Sequence, residues 1–78
     1  MSNSRDKKHF IDLINKNKSA TIGVSLAAKA VYASKFGKYD GNTDDYNHNE
    51  YRAIYKHLND TYGGYIDADA VLHEMGEE

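Results

Sequence analysis

A chain of 78 residues with no cysteine, proline or tryptophan makes one domain, near the lower size at which a core can hold a fold without staples. Disulfides and thiolate metal centres are excluded, so closure falls to seven tyrosines, two phenylalanines and the Ile/Leu/Val set. The polar opening MSNSRDKKHF has no apolar run behind it, which argues against a secretory signal or membrane span and predicts a cytoplasmic protein without a membrane partner.

Apolar residues recur mostly at helical spacing, and the expected class is all-α: one domain over residues 1–78, core about 5–75, in a compact bundle of four helices plus a short helical turn. The first helix is predicted over residues 5–17, with Ser4 as N-cap and Asp6 near the positive end of the dipole. Phe10, Leu13, Ile14 and Asn17 share a stripe, with Ile11 beside it. After the polar NKNKSAT, a second helix over 22–35 presents Leu26, Ala27, Ala30, Val31 and Ala33 to its neighbours, and Gly37 stops it by accepting a left-handed conformation.

A polar link, KYDGNTDDYNHN, carries the short turn, expected at 43–46 with Thr43 as cap. The clearest helix follows over 49–62, where Tyr51, Ile54, Tyr55, Leu58 and Tyr62 keep the spacing of one buried face. Gly63 and Gly64 end it. Asp67 caps a last helix over 68–75, with Val71, Leu72 and Met75 inward.

The aspartate-rich link raises the question of calcium. An EF-hand loop needs oxygen ligands at positions 1, 3 and 5, glycine at 6, an apolar residue at 8 and a bidentate glutamate at 12. Counted from Asp40, the first three are Asp40, Asn42 and Asp44, but positions 6, 8 and 12 are Asp45, Asn47 and Tyr51, and Glu50 falls one residue early. A second candidate from Asn59 has Gly64 and Ile66 at positions 6 and 8, with Gly63 at 5 and Ala70 at 12. A fainter echo from Asn15 has Ile22 at 8 and Leu26 at 12. No metal or other cofactor is expected, because Asp, Asn and Gly cluster in turns for backbone reasons alone.

Catalytic patterns are missing too. His9, His48, His57 and His73 have no paired-ligand spacing and read as surface residues. YGGY lacks the lysine of a phosphate loop, and Ser19, Ser25 and Ser34 have no base placed near them. The chain is therefore read as non-enzymatic. Tyr51, Tyr55 and Tyr62 are assigned to the core, while Tyr39, Tyr46 and Tyr65 are expected to lid it.

The segments FIDLINKNK, VSLAAKAVYASKFGK and TDDYNHNEYRAIYKHL give the chain its family resemblance. With Phe10 to Ile14 leading, then Leu26-Ala27, Ala30 and Phe36, then Thr43 to Tyr46 and Glu50, Tyr55 and Leu58, it resembles the YozE-type SAM-like small proteins of Gram-positive bacteria and their phages over roughly residues 9–60. It departs from them at Gly37, where that family tends to have proline, at 47–49, which look inserted, and in DADAVLHEM, which lacks an aromatic pair. The resemblance implies a compact helical SAM-like domain with no catalytic residues to carry over.

Residues 1–38 sum to +6 and residues 39–78 to −8, an asymmetry that bears on partners unless the halves simply neutralise one another. A protein-interaction module is the first expectation, its partner another protein or a second copy. The alternative is nucleic-acid binding through Lys7, Lys8, Lys16, Lys18, Lys29, Lys35 and Lys38, against which stand the acidic total and a pI near 6.0. A third reading has the acidic half imitating nucleic acid on another protein.

Overall fold

Short strands alternate with helices along the chain. The computed structural model describes residues 5–40 and 47–77. Its order is β1 (Arg5–Asp6), α1 (Lys7–Lys16), β2 (Thr21–Gly23), α2 (Val24–Phe36), β3 (Lys38–Tyr39), α3 (His48–Tyr62), β4 (Tyr65–Asp67) and α4 (Ala68–Glu74). The predicted turn at 43–46 and the Ser4 cap lie outside the described residues.

The four helices were legible, but the all-α class is corrected. Two small antiparallel ladders join the helices, β1 with β3 and β2 with β4. In the second ladder Thr21, Ile22 and Gly23 face Asp67, Ile66 and Tyr65, and the Val24 N–H continues it to the Gly64 carbonyl at 3.2 Å. Thr, Ile and Tyr favour a pleated, half-buried surface, but three residues are too few for an alternating period to declare itself. The helix expected from residue 22 therefore begins at Val24, and Ile22 belongs to the strand before it.

The ladder also corrects how the loop spacings are understood. In both 15–26 and 59–70, the strand occupies loop positions 7–9 and the next helix opens at position 10. The two isoleucines at position 8 are cross-strand partners. The chain thus holds two helix–strand–helix units joined at their loops, and neither loop has carboxylates at positions 1, 3, 5 and 12 of a calcium loop. The spacing from Asp40 behaves differently: its position 8 is Asn47, which caps α3. Asp40 itself is buried.

Caps define the helix ends. Asp6 caps α1 by accepting the His9 N–H at 2.9 Å, so the helix starts two residues later than predicted. Asn47 accepts the N–H groups of Asn49 and Glu50 for α3. Gly37 ends α2 at φ 90°, its N–H bonded to the Ala33 carbonyl. Asp67 precedes α4 as expected, yet its side chain makes no capping bond.

α2 is the central helix. Val24, Ala27, Ala28, Ala30, Val31, Tyr32 and Ala33 are all buried, and burial on several sides explains why its apolar pattern is scarcely one-sided. Its alanines let neighbours approach closely. Around it close Phe10 and Ile14 of α1, Ile54 and Leu58 of α3, Ile22 and Ile66 of the ladder, and Val71, Leu72 and Met75 at the chain's end. Tyr55, predicted buried, is 40% exposed. It lies about 100° around α3 from Ile54, at the edge of the buried face rather than on it.

Candidate functional site

α3 carries YRAIYK at residues 51–56, two interleaved pairs with helical spacing. Ile54 and Leu58 point into the core; going around the helix come Tyr51 and Tyr55, then Arg52 and Lys56. Tyr51, Arg52, Ala53, Tyr55 and Lys56 border an open, shallow groove of about 580 Å³ on the outward side of this one helix. The ring centroids of Tyr51 and Tyr55 are 6.2 Å apart.

The rings behind this groove are tied to the core. Tyr51 is 5.7 Å from Tyr39, which meets Tyr32 and Phe10 edge-on at 5.8 and 6.5 Å. The Lys29 ammonium sits 5.9 Å from the Tyr39 ring centre, within reach of a cation–π attraction. The Tyr51 hydroxyl donates to the Ser25 carbonyl at 3.4 Å, and burial is the chief cause that raises its pKa above the usual tyrosine value. Tyr39 does cover the core, as expected.

Two cations front the groove. Lys56 donates to Asp60 at 2.7 Å, and this bond raises its pKa. Arg52 is exposed and takes part in no ion pair among the described residues. In the sequence this pair is submerged in the −8 sum of residues 39–78, where Arg52 and Lys56 are the two basic side chains. The available signal was their spacing, which places both beside Tyr51 and Tyr55.

At the other end of α3 stands Tyr65, which is 70% exposed instead of serving as a lid. The residue opposite it in the ladder is Gly23, which has no side chain to cover the ring. Asp67 lies two residues on, on the same strand face, and Asp69 is in the first turn of α4. Both are exposed, and neither forms an ion pair among the described residues. Tyr46, the remaining predicted lid, lies outside those residues.

The seven lysines named from sequence are spread over four segments. Lys7 pairs with Glu77 at 2.6 Å and Lys8 with Asp12 at 3.6 Å. Lys16 ends α1 and Lys18 is exposed in the turn beyond it. Lys29 is held over Tyr39. Lys35 lines a hollow of about 350 Å³ with Glu50, His57 and Glu74, and Lys38 borders another of about 370 Å³ with Arg5 and His9. α1 alone separates Lys7 from Lys16 by about 14 Å of rise.

His57 approaches Glu74 at 3.3 Å, and the Tyr62 hydroxyl donates to the same carboxylate at 2.7 Å. That hydrogen bond raises the tyrosine's pKa and fastens α3 to α4. All four histidines are exposed, as expected. Among the described residues no group of three His, Cys, Asp or Glu side chains could hold a metal, and no helix is long and apolar enough to cross a membrane.

What fold and surface define together is a small, mostly helical domain with two strand ladders and a cationic, tyrosine-lined groove. Compared with protein-family models, curated proteins and solved structures, the chain gives no match.

Proposed function

We propose that this chain is a small non-enzymatic protein-interaction module that takes an anionic, ring-bearing protein segment against α3. The observation that carries the reading is the groove at Tyr51, Arg52, Tyr55 and Lys56. Its tyrosines offer large contact area at low entropic cost, and Arg and Tyr are the residue types that anchor interfaces. Resemblance to the YozE-type proteins supports the same class, since SAM-like folds are associated with helix-mediated protein contacts. That kinship is part of the proposal, with the strand ladders added to a helical plan.

A peptide of mixed Glu and Tyr, titrated into labelled protein, tests this. Amide shifts should gather at residues 51–56 and vanish in Arg52→Glu/Lys56→Glu. Shifts absent from α3 would refute the module. Shifts at the lysines of α1 and α2 with oligothymidylate, and none with peptide, would move the function to nucleic acid, where cations and rings also serve.

A further inference from the structure

The groove has a complement on the same molecule. Among the described residues Tyr65 is the most exposed of the large apolar side chains, and it sits beside two carboxylates, Asp67 and Asp69, that form no ion pair there. The groove offers the reverse: two partly covered rings, Arg52 with no ion pair among the described residues, and Lys56 on a surface aspartate. Exposed surface pairs of that kind are weak, so Lys56 can exchange Asp60 for another carboxylate at little cost.

Resting on the interaction-module reading, we propose that the groove's occupant is a second copy of this chain. Tyr65 of one copy seats against Tyr51 and Tyr55 of the next, and Asp67 and Asp69 meet Arg52 and Lys56. Tyr65 cannot fill its own groove. From Tyr51 to Tyr62 the helix rises about 16 Å, and the ladder with Gly23 holds Tyr65 beyond that end. Two different patches therefore meet, which leaves one groove and one knob open on every assembly that does not close. The product is a reciprocal two-fold pair where both contacts close at once, and a ring or an open chain where they do not.

A single ring and two charge pairs make a contact below the standard interface size. Association is therefore weak, dependent on concentration, and weakened by salt, because the charges are exposed. The mass-average from light scattering should rise with protein concentration at low salt and return to the monomer at high salt. Tyr65→Ser removes the knob, and Arg52→Glu/Lys56→Glu reverses the groove; each alone should remain monomeric. Mixed in equal amounts, they should form a discrete dimer, the intact groove of the first taking the intact knob of the second. Formation of that dimer also shows that both variants are folded.

A wild-type protein that stays monomeric at millimolar concentration and low salt overturns the proposal. So does a mixture that stays monomeric, or self-association that survives both sets of substitutions. If the Glu/Tyr peptide still shifts α3 while the protein stays monomeric, the module stands and only self-recognition fails. If α3 responds to neither, both fail.

Discussion

Tyr32 is almost wholly buried in α2, and its hydroxyl oxygen accepts the Asn47 N–H at 2.8 Å. The ring fills the core while its polar atom holds the start of α3. Tyr32→Phe should keep the fold and cost about 0.5–1.5 kcal/mol, the net worth of one hydrogen bond, measured by urea unfolding. Leu58→Ala is expected to be far worse. Leu58 has no exposed surface, and such truncations cost about 2–5 kcal/mol from a total of about 4–12 kcal/mol for a chain this size. A small shift in midpoint would show that α3 is not packed as described. Tyr62 and Tyr51 tie stability to alkaline pH. Both pKa values are raised, the first by the bond to Glu74 and the second by burial, so the folded state prefers the neutral phenols. Their stabilisation is complete below about pH 10, the ordinary tyrosine value, and is lost as pH climbs through the raised folded values. Urea midpoints should stay level up to that pH and then fall, with tyrosinate absorbance following. An alkaline fall undiminished in Tyr62→Phe would contradict the assignment to Tyr62.

Among the elements, the β2–β4 ladder is the joint between the two helix–strand–helix units. Ile22 and Ile66 are buried partners across it. Ile22→Val and Ile66→Val should each cost about 0.5–1.5 kcal/mol, and a double-mutant cycle should return a coupling of at least about 0.5 kcal/mol. Strict additivity would mean that the strands do not meet. Gly37 makes the second element-scale demand. Its φ of 90° is strained for any side chain, so Gly37→Ala should cost about 1 kcal/mol or more, although the space beside it is open. The penalty is conformational, and Gly37→Asn, which tolerates the left-handed region better, should recover part of it. The helices of these units could be read in the sequence because Ile54, Leu58 and their neighbours repeat every turn. The ladder could be read only as a spacing, Ile22 and Ile66 each at the eighth place of a failed calcium loop. Nothing local says that two such segments will pair.

At the scale of the molecule, the buried apolar residues form one core, and the described residues offer no group of three His, Asp or Glu side chains that could hold a metal. The radius of gyration is 11.6 Å, close to the roughly 11.5 Å that scaling assigns to a packed chain of this length. Chelator should leave the melting temperature unchanged, and added calcium should not raise it. A rise of several degrees would return the link after Asp40 to consideration as a binding site. The opposed halves are joined at the ends by Lys7 and Glu77, while Lys8–Asp12 and Lys56–Asp60 are satisfied within their own helices. Part of the charge asymmetry therefore reaches the surface, where the exposed Asp67 and Asp69 carry it and Arg52 runs against it.

By itself the sequence determined the helices, their stops at Gly37 and Gly63, and most of the inward residues, because 3.6-residue periodicity and glycine's tolerance of positive φ are local properties. It also carried the YRAIYK pattern, since neighbours one turn apart on a helix need no tertiary contact to be aligned. Only the tertiary structure decided that Thr21–Gly23 and Tyr65–Asp67 pair, that Tyr32 is buried and Tyr55 is not, and that Tyr65 faces outward. Each of these depends on what lies opposite: a cross-strand glycine, a packed helix or water. Such facing partners are set by contacts between residues far apart in the chain, which no local pattern encodes.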